Sequence, residues 1–345
     1  MIFTKSLIAW YLQNKRDLPW RQTIDPYQIW LSEIILQQTR VAQGTPYFFA
    51  FIDAFPTVFD LAQASEENVL KLWQGLGYYS RARNLYQTAQ TVAFESNGIF
   101  PDRYLDLLRL KGVGEYTAAA IASFSYNEAV PVVDGNVFRV LSRYFDIESD
   151  IANAAAKKEF SALAFELMPK DNPATFNQAI MEFGALQCVP KNPNCSICPL
   201  NSGCLALQLK KVDKLPFKSK KLKIRKRFFN YIVFSDVDRK TIVTKRSGKG
   251  IWHNLYEFPL VETDREVGMD EIAVSIGERY PHFKVETIAE FNSQSQIHKL
   301  THQHLHIKFY EVKVAGNLAD GVNSEMLRTF PFPIVIFNFI EREWK

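Results

Sequence analysis

The tightest restriction on the fold of this chain is its cysteine usage. All four cysteines fall in one 17-residue window, Cys188-x6-Cys195-x2-Cys198-x5-Cys204. A disulfide scaffold spreads its cysteines along a short secreted chain. A single cluster in a chain otherwise free of cysteine reads as a metal site instead. Structural zinc usually uses paired short knuckles, and only one short pair, Cys195 and Cys198, is present. On spacing alone, zinc and iron–sulfur both remain open.

At 345 residues the chain is long for one compact core, so two domains are expected. Apolar residues make up 47% and charged residues 23%, which suits a water-soluble globular protein. No apolar run approaches the roughly 18 residues of a membrane span, and no signal peptide opens the chain. A cytoplasmic protein is expected. Residues 1–208 read as helical, from apolar residues at helical spacing in Leu7-Ile8-Tyr11-Leu12 and Ile29-Trp30-Ile34-Leu36. Turn signals such as Lys111-Gly112-Val113-Gly114 punctuate them. Residues 209–227 read as a basic linker. Its segment 210–227 holds ten Lys/Arg against one Asp, a local +9 where the whole chain carries +4. Basicity gathered in one strip suits a surface that tracks phosphates, or a solvated linker. From residue 228 to 345, β-branched and aromatic runs such as Phe229–Phe234 and His306–Tyr310, with a helix expected over Glu271–Tyr280, give a small α+β domain.

Three segments carry chemistry. Gly112 and Gly114 form a tight hairpin that opens an Ala-rich helix, and backbone N–H groups there can bind a DNA phosphate without reading sequence. Asp134, in Val132-Val133-Asp134-Gly135-Asn136, stands where a helix N-cap would. Glu33, in Trp30-Leu31-Ser32-Glu33-Ile34, is a lone carboxylate in an apolar helix. It lies either on an exposed stripe or in a pocket that raises its pKa.

Together with Leu18-Pro19-Trp20-Arg21, Gly75–Arg83 and Gly250–Pro259, these segments resemble the MutY family of adenine DNA glycosylases, in the helix-hairpin-helix glycosylase superfamily. The resemblance covers essentially the whole chain. It implies an all-α helix-hairpin-helix domain with an iron–sulfur loop, followed by a C-terminal α+β Nudix-like domain. It implies that Asp134 is the essential aspartate and Glu33 the acid that protonates adenine, with Tyr116 and Asn136 assisting. The Asp-Gly-Asn form resembles adenine glycosylases rather than endonuclease III. Tyr116 stands where bifunctional relatives carry a Schiff-base lysine, which implies base removal without efficient strand scission. Cys188, Cys195, Cys198 and Cys204 match the [4Fe–4S] ligands of the superfamily. Gln38 and Tyr78 match positions that wedge into the duplex, and Arg21 and Gln178 match positions near the adenine pocket. Leu300-Thr301-His302 takes the place of the family's Phe-Ser-His loop, which reads 8-oxoguanine. It keeps a hydroxyl and an imidazole but not the aromatic ring. His298, His302, His304 and His306 read as a wet face of a strand. No Glu-rich Nudix box is present, so pyrophosphatase activity is not expected. The implied partner is duplex DNA carrying adenine opposite 8-oxoguanine or guanine, bound by a monomer.

Overall fold

The computed structural model describes residues 2–219 and 224–344. Residues 220–223, within the expected linker, lie outside the described residues. The chain forms two compact units, Met1–Gln63 with Asn84–Lys220, and Ala64–Arg83 with Lys221–Lys345.

Among the described residues, every regular element of the first unit is helical. The helix Ile2–Asn14 places Phe3, Leu7 and Tyr11 at four-residue spacing on one face. That stripe enters a core with Val140 and Leu141 of the helix Gly135–Phe145 and Phe176, Ile180 and Phe183 of the helix Pro173–Leu186. The helix Pro26–Leu36 starts where the Asp25 carboxylate accepts the Tyr27 N–H at 3.0 Å, with Pro26 in the first turn. Tyr27 and every residue from Ile29 to Ile35 are buried, so this helix has no exposed stripe at all. The hairpin between Tyr104–Leu107 and Glu115–Tyr126 requires glycine: Gly112 has φ +73°, and a Cβ there would lie 2.6 Å from the Asn84 Cβ.

Gly184 is the second position where glycine is obligatory, here for proximity. A Cβ would sit 2.6 Å from the Asn136 Cβ and 2.9 Å from its carbonyl oxygen, so the helix Pro173–Leu186 presses against the first turn after Asp134. Gly184→Ala is therefore expected to cost about 1–3 kcal/mol and to lower Tm by several degrees. It should also slow base removal by displacing Asn136 and Asp134. Thermal melts and single-turnover rates check both, and an unshifted melt would show that the contact yields freely.

The expected linker is partly built into structure. Arg225–Arg227 already belong to the strand β1, Arg225–Ser235, whose ladder partner extends that far. Lys211 bridges Asp146 and Glu148 at 2.7 Å each, the Leu215 carbonyl accepts from Arg143, and Ile151 N–H donates to the Phe217 carbonyl. Arg227 is paired with Glu262. These local partners, which a charge count cannot reveal, take part of the strip away from solvent.

In the second unit, β1 lies centrally between β4 (Leu260–Thr263), antiparallel, and β7 (Gln303–Val314), parallel. β5 (Val285–Glu290) and β6 (Gln296–Lys299) both pair antiparallel with β7. The short strands β2 (Thr244–Lys245) and β3 (Tyr256–Glu257) form a separate ribbon. Met269–Arg279, the expected helix within one or two residues, covers one sheet face with Ile272 and Ile276. Ile334–Glu343 covers another face, where Phe339 stacks on Phe309 at 3.9 Å. Among the described residues no helix is long and apolar enough to cross a membrane.

Candidate active site

Glu33 and Asp134 line one cavity of about 1110 Å³ in the first unit, together with Gln38, Gly112, Gly114 and Tyr116. The two carboxyl groups sit in different surroundings. Glu33 is 7% exposed, and burial pushes its pKa up to about 7, with the nearby Asp134 charge acting in the same direction. A hydrogen bond from Tyr116 and the Arg21 charge oppose that rise. The Tyr116 hydroxyl is held well above its ordinary pKa by desolvation and by the two neighbouring carboxylates, and it stays a donor.

Asp134 is the N-cap of the helix Gly135–Phe145. Its Oδ1 accepts from the backbone N–H groups of Asn136 and Val137 at 2.8 Å, and its Oδ2 accepts from the Asn136 Nδ2 at 2.7 Å. Burial raises its pKa above the ordinary carboxylate value, and three N–H donors and the Arg139 charge oppose that rise without cancelling it. The donors around Asp134 favour its charged form, whereas Glu33, with one donor, is arranged to hold a proton near neutrality.

Other groups fix this pair. Asn177 accepts the Val132 N–H and donates to the Val130 carbonyl and the Ser123 hydroxyl, which pins the extended segment leading to Asp134. Arg139 donates to Asn136 Oδ1 at 2.7 Å, to the Gly184 carbonyl at 2.6 Å and to the Cys188 carbonyl at 2.7 Å. Arg21 and Gln178 are not in the lining of the cavity. Arg21 is ion-paired to Glu182 at 2.9 Å, and Gln178 accepts from the Tyr11 hydroxyl at 2.5 Å. Glu182, 1% exposed, also takes Arg16, and the two guanidinium groups hold its pKa down at about 2 against burial. Sequence reasoning missed Glu182, Asn177 and Arg139. The one available signal was an amide or charged group set among apolar residues, as at Asn177 and Glu182.

Gln38 and Tyr78 both have left-handed backbones, φ 58° and 48°, and exposed side chains. Gln38 follows the C-cap, Gln37, of the Glu33 helix in the first unit. Tyr78 belongs to the second, where its hydroxyl hydrogen-bonds to Thr301. Leu300, Thr301 and His302 form the tip of the β6–β7 hairpin, closed by a bond from Leu300 N–H to the Gln303 carbonyl at 2.8 Å. The histidine run is not uniformly wet: His302 is exposed, but His306 is half-buried and stacks on Phe228 at 4.8 Å, and His298 is half-buried against Trp252. Asn254 tolerates the left-handed φ of 64° that its turn demands, and it donates to Glu66 at 2.7 Å.

The four cysteines are half-buried around one cavity. Among the described residues no three His, Cys, Asp or Glu side chains gather as they would about a single ion. Burial raises the thiols of Cys195, Cys198 (to about 11) and Cys204. Backbone N–H groups of Leu200, Leu207 and Ala206 point at the sulfurs of Cys198 and Cys204, and Arg143 donates to the Cys188 sulfur at 3.4 Å. Four soft donors spread about a common space, with N–H groups aimed at sulfur, fit a thiolate-bound iron–sulfur centre.

Residues 31–165 match the family described as the HhH-GPD superfamily base excision DNA repair protein, and residues 230–342 match the NUDIX domain. The chain is 36% identical over 309 residues to an adenine DNA glycosylase of Buchnera aphidicola, covering 89% of this chain and 86% of that one. It is 44% identical over 223 residues to the human adenine DNA glycosylase, covering 62% of this chain and 41% of that one. A solved thermostable thymine-DNA glycosylase superposes with a TM-score of 0.56 at 28% identity, covering 60% of this chain and 96% of that one.

Proposed function

We propose a reaction for this chain from the premise that it belongs to the adenine DNA glycosylase family, with a helix-hairpin-helix glycosylase domain and a Nudix-like domain. It excises adenine mispaired with 8-oxoguanine, or with guanine, from duplex DNA by hydrolysis of the N-glycosidic bond. The observation that carries this is the unequal carboxyl pair, Glu33 and Asp134, on one cavity beside the glycine hairpin.

The hairpin at Gly112 and Gly114, with the basic residues after 209, holds the duplex backbone, and Gln38 and Tyr78 disturb the stack so that adenine leaves it. Glu33 gives its proton to the purine, which turns the base into a better leaving group. The C1′–N9 bond breaks with oxocarbenium character, and the Asp134 carboxylate faces that positive charge or captures it transiently. Asn136, fixed by Arg139, favours the charged form of Asp134 and aims it. Water completes an abasic site with retention. Tyr116 supplies no amine, so the strand stays intact. Cys188, Cys195, Cys198 and Cys204 would hold a [4Fe–4S] cluster, which would order the loop; Arg139 and Arg143 tie that loop to the Asp134 helix. Leu300, Thr301 and His302 read the oxidised base, while Arg21 acts on the adenine end from behind the lining, through the charge it places near Glu33.

The direct test uses labelled duplexes carrying adenine opposite 8-oxoguanine, guanine, cytosine or thymine. Breaks are expected only in the adenine strand and only after alkali, most strongly opposite 8-oxoguanine. Breaks without alkali would overturn the monofunctional reading, and cleavage at thymine would overturn the choice of base.

A further inference from the structure

Glu182 takes no part in the excision steps, yet it is the most completely engaged carboxylate of the first unit. It lies one helical turn after Gln178 in the helix Pro173–Leu186, where Ala179, Ile180 and Phe183 are buried with it. A carboxylate 1% exposed is too costly to leave unpaired, and its four contacts are defined. Oε1 accepts from the Arg16 backbone N–H at 2.9 Å and from Arg16 Nε at 2.8 Å. Oε2 accepts from Arg16 Nη2 at 2.6 Å and from Arg21 Nη2 at 2.9 Å. With a pKa of about 2 it stays charged at any pH where the protein is native.

We propose that Glu182 is a positioning residue for base excision: by clamping Arg16 and Arg21 it limits the positive charge that reaches the Glu33 carboxyl. The proposal rests on the acid role given to Glu33 above and deepens it.

Arg21 acts on the excision cavity without lining it. Besides burial and the Tyr116 hydrogen bond, two charges act on Glu33: Asp134 favours its proton, and Arg21 favours its loss. Arg21 also opposes the rise that burial and the two carboxylates give Tyr116. Glu115, Lys157 and Lys158 stand on the same cavity, but all three are exposed, so water and salt screen them. Tyr104, pushed up by burial, stays neutral there. Arg21 is therefore the cation that matters to the acid, and its restraint is visible. Besides Glu182, it is held by the Arg16 carbonyl at 3.3 Å and by the face of the Tyr11 ring at 5.8 Å. Tyr11, Arg16 and Glu182 all stand outside the lining of the cavity, so these contacts hold the guanidinium back from it.

The clamp is uneven, two guanidinium groups on one carboxylate. Taking away the Glu182 charge leaves both cations without their shared anion, and the next carboxyl group that the Arg21 charge already reaches is Glu33. A stronger positive field there favours the Glu33 anion, which has no proton to give.

The test follows single-turnover excision of adenine opposite 8-oxoguanine across pH, with full-length wild type, Glu182→Gln, Glu182→Asp, Arg21→Met and the double variant of Arg21→Met with Glu182→Gln. A melt of each establishes that it folds. In Glu182→Gln the alkaline limb set by Glu33 is expected to move about one unit to lower pH. The rate then falls about tenfold above the limb and stays near wild type below it. Glu182→Asp keeps the charge and should hold the limb near its wild-type position. Arg21→Met should move the limb to higher pH, and adding Glu182→Gln to it should shift the limb far less than in the wild-type background. Arg21→Met leaves the Arg16–Glu182 pair in place, so it decides the matter even where Glu182→Gln does not fold. An unmoved limb in Arg21→Met, or a rate lowered equally at every pH in Glu182→Gln, overturns the proposal and makes Glu182 a structural ion pair. A wild type with no alkaline limb overturns the acid role of Glu33 itself.

Discussion

Glu33→Gln is expected to reduce single-turnover adenine excision by about 10²–10⁴-fold, the usual contribution of a positioned general acid. The amide fills the same space and can still accept the Tyr116 hydrogen bond, so loss of the proton is isolated from loss of shape. Two pH signatures accompany it. In the wild type, excision should fall as pH rises through about 7, where Glu33 gives up its proton, and Glu33→Gln should lack that limb. The stability signature has a definite sign. A folded-state pKa raised from 4.5 to about 7 means that the native state binds more protons than the unfolded chain between those values. The stabilising effect of the protonated group is then fully present below about 4.5 and is lost as pH rises through about 7. Glu33→Gln should therefore be more stable than wild type at pH 8, by on the order of 3 kcal/mol for this buried group, and show no such gain at pH 4.5. Melts at both pH values and a pH–rate profile check the pair of signatures. A variant excising within tenfold of wild type would remove Glu33 from the acid role.

Asp134→Asn should be the second large loss, about 10²–10³-fold in single-turnover rate, because a neutral amide gives no charge to an oxocarbenium-like centre. Asparagine is as good an N-cap as aspartate, so the helix Gly135–Phe145 should still start in place. The new amide nitrogen, however, would face the Asn136 Nδ2, donor to donor. Asn136 cannot turn over to relieve this, since its own Oδ1 is held by Arg139 at 2.7 Å. A stability cost of about 1 kcal/mol is expected, with duplex affinity within a few fold of wild type. Near-normal turnover with intact binding would mean that Asp134 is a cap and nothing more.

The local signals in the sequence were strong where chemistry imposes a residue type at a position. The glycine hairpin, the cysteine window and the change from helical to strand texture each needed only neighbouring residues to be seen. The same reading left the environment of Glu33 open, because an apolar helix with one carboxylate suits an exposed stripe or a pocket equally. Burial of the whole face from Ile29 to Ile35 decided it. Charge counting made a free strip of residues 210–227, but Lys211 and Arg227 have acidic partners 63 or more and 35 positions away, respectively. Alternation along β7 suggested solvent-facing histidines, yet the parallel pairing of β1 with β7 puts Phe228 opposite His306, and the rings stack.

What the sequence by itself determined, then, was the list of parts: two domain textures, four clustered thiols, a phosphate-binding turn, and two carboxyl groups of the right kind. Only the tertiary structure decided what each carboxyl group is. A pKa is set by desolvation and by nearby donors and charges: helix packing buries Glu33 beside Tyr116 and Asp134, and it buries Asp134 with Arg139 close by, although the donors to Asp134, Asn136 and Val137, follow it directly in the chain. The three donors to Asp134 at its helix start are local and legible as an N-cap, whereas the burial of Glu33 in an apolar wall with one donor comes only from packing.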